Sequence, residues 1–240
     1  MCARRASTVV ALTLAAGPAA ALDLTEAERA AFRAEVRALL LEEPEIVARA
    51  LSPAPSYAEE AARDTALLDR LAPKLFGDDA DYREGPADAA PLVAFLPPAC
   101  DGCADLIEDL RALVRENGAT RLIVKDLPGA DERQRTAAAF LSALLAEAGP
   151  AAWREARVAL PELPDPGDPA ALRRLSQVMG WPADRVLAAM TAQRTRARLQ
   201  RTSELVEALG FDVAPSYVVD GTLIRGDVPV PLLARYLPAR

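Results

Sequence analysis

The sequence predicts an α/β protein in which a small, partly parallel sheet is surrounded by many helices. Three observations carry that reading. Mid-chain, the apolar runs Leu92-Val93-Ala94-Phe95-Leu96 and Leu122-Ile123-Val124 flank one amphipathic segment. A strand–helix–strand order of this kind makes a crossover and a parallel strand pair. Long stretches on both sides repeat apolar residues at helical spacing. Near the C-terminus, Tyr217-Val218-Val219, Asp220-Gly221 and Thr222-Leu223-Ile224 have the pattern of a hairpin with a two-residue turn.

Composition narrows the function. The 240 residues are 51% apolar and 26% charged, which is globular composition. Lys and Arg number 28 against 35 acids, a net charge of −7. No basic field gathers phosphates, so nucleic-acid binding lacks its electrostatic support. There is no histidine. That excludes Ser-His-Asp and Cys-His catalysis, histidine-rich zinc sites and histidine pH switching. The cysteines are Cys2, Cys100 and Cys103.

Residues 1–21 read as a secretory signal peptide. Arg4 and Arg5 precede an apolar stretch from Ala6 to Ala16; Gly17-Pro18 breaks it, and Ala19-Ala20-Ala21 offers small residues for cleavage after Ala21. The competing reading is an uncleaved anchor, but the stretch falls short of the roughly 20 residues a span needs. Cys2 leaves with the signal. The remaining chain is expected to be soluble in an exported, oxidising compartment.

Residues 22–77 read as a helical region. Thr25 with Glu28 and Ser56 with Glu59 are capping boxes. Phe32, Val36, Leu39 and Leu40 form one stripe, and Leu68, Leu71 and Leu75 another. Pro44 interrupts and restarts a helix as its first residue. Such stripes pack either on the chain's own core or against another subunit. Residues 78–90, acidic with Gly85 and Pro86, read as a linker.

Residues 91–240 read as the main domain. After the first strand comes Cys100-Asp101-Gly102-Cys103, then a helix with Leu106, Ile107, Leu110, Leu113 and Val114 on one face, ended by Asn117-Gly118. Residues 131–209 are helical again, with a break at Gly149-Pro150 and a cap at Asp168-Pro169. A short helix around Pro231 to Tyr236 closes the chain.

The two remaining cysteines admit several readings. A zinc site needs about four ligands, and the exported chain has only these two candidates. Two free thiols are at odds with an oxidising compartment. A purely structural disulfide would close a very small loop, where the entropic gain is least. A redox-active pair fits best, because Cys100 stands where a strand gives way to a helix whose N–H groups and dipole favour a thiolate. Cys103, further into the helix, is placed as a resolving thiol.

These residues together resemble the thioredoxin fold, specifically the exported DsbA-like thiol–disulfide oxidoreductases. Leu92 to Leu96 followed by Cys100-Asp101-Gly102-Cys103 resembles that family's strand and active-site turn. Leu122 to Pro128 resembles its next strand and the proline after it. Residues 131–209 resemble its helical insertion. Val213-Ala214-Pro215-Ser216-Tyr217-Val218-Val219 resembles the segment carrying its cis-proline into the hairpin. Residues 24–76, with Leu40-Leu41-Glu42-Glu43-Pro44-Glu45-Ile46, are similar to the N-terminal helices of the branch that includes the copper-sensitivity suppressor C proteins, some of which oligomerise through them.

The resemblance implies a thioredoxin-like fold with a helical insertion and an N-terminal helical extension. It implies Cys100 as nucleophile, Cys103 as resolving thiol, Pro215 in cis beside the sulfurs, and Ala214 offering backbone hydrogen bonds to an extended substrate. It implies exchange with protein thiols and disulfides in the periplasm, with no cofactor or metal. A redox partner protein, with a membrane-bound one among the options, and a homo-oligomer through the N-terminal helices complete the expectations. Asp101 and Gly102 depart from the proline and histidine that the strong oxidants place between their cysteines. A carboxylate beside the sulfur disfavours the thiolate where a cationic histidine favours it. Gly102 adds no charge and leaves more backbone amide exposed. Asp101 also reads as a helix cap, a role compatible with the first. Pro97-Pro98 is a further departure. The direction of exchange is open at this stage. So is the alternative of a non-catalytic exported binding protein or chaperone on the same scaffold.

Overall fold

The computed structural model describes residues 25–51 and 57–238. The expected signal peptide with Cys2, and the expected Ser56 cap, lie outside them. The chain divides into two compact units, residues 1–54 and 55–240.

The first unit holds α1 (Glu26–Glu42) and α2 (Pro44–Leu51). The Thr25–Glu28 capping box forms reciprocally: Glu28 N–H donates to Thr25 Oγ1 at 3.3 Å, and Thr25 N–H donates to Glu28 Oε2 at 2.8 Å. Pro44 opens α2, as its missing N–H permits. No residue of α1 is buried, and Phe32 is 60% and Leu41 75% exposed.

The second unit is built on a five-stranded sheet in the order β1-β3-β2-β4-β5. Its strands are β1 (Tyr82–Glu84), β2 (Ala90–Leu96), β3 (Thr120–Asp126), β4 (Ser216–Val219) and β5 (Thr222–Arg225). Strands β2 and β3 are parallel, joined by the crossover helix α4 (Cys103–Asn117). The other pairings are antiparallel. Asp220 and Gly221 take positive φ angles of 43° and 73° in the β4–β5 turn, which is why this pair of residues makes the hairpin.

Side chains alternate along the strands and feed two cores. Leu92, Ala94, Leu96, Leu122, Val124, Tyr217 and Val219 face one, with Ile107 and Leu110 of α4 and the helical insertion packed on them. Val93, Phe95, Ile123 and Val218 face the other, against Leu68, Leu71 and Leu75 of α3 (Tyr57–Phe76) and Leu205 and Leu209 of α8 (Gln193–Leu209). Between β3 and β4 run α5 (Glu132–Ala159), α6 (Pro169–Val178), α7 (Ala183–Met190) and α8. The chain ends in α9 (Val230–Leu233) and a 3₁₀ turn at Ala234–Tyr236. Among the described residues no helix is long and apolar enough to cross a membrane.

One expectation is corrected here. Residues 78–90 contain β1, which pairs with β3 so that Tyr82 stands opposite Val124. Asp81, part of the acidic run that read as a linker, is buried against Lys125, with Asp81 Oδ2 2.5 Å from Lys125 Nζ. The main unit therefore starts well before residue 91, and α3 belongs to it. The break expected at Gly149-Pro150 is present: Gly149 takes φ 86° and ψ −178°, non-helical values that divide α5 into two helical segments, the second running to Ala159.

This packing generates a stability prediction. Leu75 is fully buried, so Leu75→Ala should cost about 2–5 kcal/mol in chemical denaturation. A loss near zero would return α3 to the status of a separate arm.

Candidate active site

Strand β2 delivers the chain to the end of the sheet at Leu96, and Pro97 and Pro98 carry it into Cys100. Gly102 takes φ 75°, a left-handed conformation that glycine adopts without steric cost. An added Cβ there would meet nothing within 4 Å, so conformation and not crowding favours glycine. The left-handed residue turns the chain into α4, whose first residue is Cys103 and whose cap position is Gly102. Asp101 is exposed and caps nothing: α4 has no side-chain cap bond. The cap expected of Asp101 fails because the helix starts one residue too late for it. Cys103 accordingly stands at the first position of the helix and not a turn inside.

Cys100 and Cys103 form a disulfide with their Cα atoms 5.5 Å apart. Cys103 is 6% exposed, and Cys100 is half-buried. Cys103 N–H donates to Cys100 O at 3.3 Å. Cys100 Sγ lies 3.8 Å from Pro97 O, an acceptor to which the thiol can donate only when reduced. The asymmetry expected of the pair, outer and inner, is present in the burial.

Strand β4 brings the second piece. It runs antiparallel to β2 with Ser216 opposite Phe95, so the residues just before Ser216 arrive beside the end of β2. The Ala214–Pro215 peptide is cis. Ser216 Oγ donates to Val213 O at 2.7 Å, bracing the segment. Ala214 is exposed and Pro215 half-buried. Ala214 and Pro97 line the same apolar groove, with Leu127, Pro128, Val206 and Phe211. Behind the segment, Tyr217 is fully buried. Burial, with Asp227 adding to it, pushes its phenol up to about 12, so it stays neutral at physiological pH.

The structure also assembles charged residues that the sequence reading passed over. Asp126 ends β3 opposite Leu96. Its Oδ2 accepts from Trp153 Nε1 at 3.0 Å, and its Oδ1 accepts from Arg157 Nη2. Arg157 Nη1 donates to Pro97 O. Asp126 and Arg157 are 3% and 1% exposed. On the other face of β3, Lys125 Nζ meets Asp81, and Arg198 Nη2 reaches the same carboxylate at 3.2 Å. The available signal was a Lys-Asp pair continuing an apolar strand, together with Trp153 and Arg157 one helical turn apart.

No family model and no curated protein matches the chain. Solved structures do. A linker-deleted mutant of Proteus mirabilis ScsC matches with a TM-score of 0.59 and 23% identity, covering 91% of this chain and 97% of that one. The thiol–disulfide exchange protein alpha-DsbA2 from Wolbachia pipientis matches with a TM-score of 0.65 and 17% identity over 75% and 97%. A thioredoxin-like oxidoreductase from Silicibacter pomeroyi matches with a TM-score of 0.59 and 22% identity over 68% and 94%. The βαβ crossover, the cis-proline hairpin and these likenesses together identify the architecture: the chain has a thioredoxin-like fold with a helical insertion between β3 and β4 and an N-terminal helical extension.

Proposed function

We propose that the chain is an exported thiol–disulfide oxidoreductase that exchanges disulfides with protein substrates. One observation carries the proposal. The disulfide joins a half-exposed Cys100 to a buried Cys103 at the start of α4, in a fold shared with thiol–disulfide exchange proteins. A structural disulfide needs no accessible sulfur; an exchanging one does.

The reaction is an exchange of sulfur bonds. In the reducing direction, the Cys100 thiolate attacks a substrate disulfide. A Cys100–substrate disulfide forms, and one substrate thiolate leaves. Cys103, deprotonated, then attacks Cys100 Sγ, closes the internal disulfide and expels the second substrate thiolate. The oxidising direction is the reverse, and both electrons reside in the cysteine pair. The N-terminus of α4 stabilises negative charge on Cys100. In the proposed complex, the Ala214 backbone pairs with an extended substrate, and Pro215 packs beside the sulfurs. The groove at Pro97 and Ala214 accepts apolar substrate side chains. The likeness to a periplasmic thioredoxin-like protein of Salmonella enterica and the leader-like residues 1–21 support a periplasmic setting. A redox partner protein would reset the cysteine pair.

The first test is catalysed reduction of insulin by dithiothreitol. The wild-type chain should accelerate it, and Cys100→Ala should be inactive. After reduction, Cys100 should alkylate at least tenfold faster than Cys103 near neutral pH, as exposure and helix position dictate. Equal labelling rates would remove the assignment of roles.

A second test concerns Asp101. It is exposed beside Cys100, so its charge acts on the sulfur through solvent. Asp101→His replaces an anion by a potential cation and should make the protein a stronger oxidant. The glutathione equilibrium constant for reduction should rise roughly threefold to tenfold. Unchanged constants in both Asp101→His and Asp101→Asn would show that this charge does not reach the sulfur.

The exposed stripe of α1 supports self-association of the N-terminal helices. Light scattering of the full exported chain should give an oligomer, and Phe32→Asp combined with Leu39→Asp should reduce it to a monomer. A monomeric wild type would end the idea. Truncation is a poor probe if it starts beyond α3, because it would strip Leu68, Leu71 and Leu75 from the core.

A further inference from the structure

We propose that Arg157 is a positioning residue for the Cys100–Cys103 pair, acting through the Pro97 carbonyl and held in place by Asp126. The inference rests on the disulfide-exchange reading above and deepens it.

The geometry begins with α5. Past the kink at Gly149, its second half brings Trp153 and Arg157 to one face, four residues apart. Asp126 meets both, one carboxylate oxygen to each. Arg157 also lies over the Trp153 ring, with its guanidinium carbon 4.9 Å from the ring centroid. Its remaining fork arm is thereby aimed at Pro97 O. Cys100 Sγ approaches that same oxygen at 3.8 Å. One carbonyl thus connects the buried cation to the reactive sulfur. With an ordinary hydrogen-bond length, the nearest guanidinium nitrogen stands within about 7 Å of Sγ.

Two consequences follow from the chemistry. Pro97 and Pro98 have no N–H, so the turn into the cysteines has few backbone donors with which to fix itself. Arg157 supplies a rigid donor fork instead. The second consequence is electrostatic. The cation is bonded to the turn, and its carboxylate partner sits back at the end of β3. Pro97 O thus links the sulfur to the cationic member of the pair. When two glutathione thiols reduce the Cys100–Cys103 bond and leave as one glutathione disulfide, Cys100 becomes able to ionise. The buried cation then favours the thiolate, and hence the reduced protein.

The test uses the full chain with the pair neutralised in two ways. Arg157→Gln with Asp126→Asn keeps hydrogen-bonding groups and removes charge. Arg157→Met with Asp126→Leu removes both, a kind of replacement that folded cores often tolerate. The equilibrium constant for reduction by glutathione is measured at pH 8.5, where an ordinary thiol is partly ionised, with thermal midpoints in parallel. The constant should fall roughly threefold to tenfold in each folded variant. Folded variants within a factor of 1.5 of wild type would overturn the proposal. So would failure of both to fold, because the pair would then serve the fold and not the turn. A wild type inert toward glutathione would sink the oxidoreductase reading itself, which the variants alone cannot do.

Discussion

Two adjacent residues of opposite charge, Lys125 and Asp126, are buried at the end of a central strand, and the rest of the second unit is arranged around satisfying them. Strand alternation sends them to opposite faces. Lys125 meets Asp81 from the approach to β1 and the Lys74 carbonyl of α3. Arg198 of α8 joins the same carboxylate and also donates to Ser142 Oγ of α5 at 3.0 Å. Asp126 meets Trp153 and Arg157 of α5. The helical insertion is thereby tied to β3 on both faces. Buried ion pairs of this kind add little net stability, since desolvation offsets most of the attraction, but losing one partner costs about 3–5 kcal/mol. Their effect is to make one arrangement of helices on sheet much better than its neighbours.

The same constraint reaches the candidate active site by a short path. Parallel pairing of β2 and β3 sets Asp126 opposite Leu96, one residue before Pro97. Whatever Asp126 holds is therefore held against the turn into Cys100. The antiparallel neighbour on the other side of β2 delivers the cis Ala214–Pro215 segment to the same end of the sheet. Three regions far apart in sequence, near residues 97–103, 157 and 214–216, converge because β2 lies at the centre of the sheet and ends where they meet.

Much of this was legible in the sequence. The apolar runs of β2 and β3 announced buried strands, and Asp220-Gly221 announced the hairpin turn. Strand–helix context singled out Cys100 and Cys103. What stayed hidden has a common cause, which is that charge reads as exposure. Lys125 and Asp126 ended the second strand too early on paper, at Val124, because isolated charged residues are almost never buried. The acidic density of residues 78–90 read as a linker because nothing local shows that Asp81 has cations waiting on β3 and α8. Arg157 read as an ordinary helix residue for the same reason. Amphipathic stripes carried a different ambiguity. Those of α1 and α3 look alike in sequence; that of α3 is buried by β2, β3 and α8 of its own unit, while α1 has no buried residue. A stripe specifies that a partner is needed and not which one.

Two charges, Asp101 and Arg157, illustrate why burial outranks sequence distance. Asp101 is the immediate neighbour of Cys100, and sequence alone makes it the natural regulator of the sulfur. Yet it is exposed, and water and salt screen it over about 8–10 Å at physiological ionic strength. Arg157 is separated from Cys100 by more than fifty positions, but its side chain is 1% exposed and hydrogen-bonded to the turn. In surroundings with an effective dielectric nearer 20 than 80, a unit charge at a given distance acts about four times more strongly than in water. Asp126 cancels part of that field; the cation is the member of the pair bonded to the turn. In the proposed exchange, the exposed carboxylate and the buried guanidinium oppose each other at the sulfur, the first softened by solvent and the second by its counter-ion. An oxidising strength set by this balance needs no histidine between the cysteines: in the proposed exchange, the favourable charge is supplied from the helical insertion.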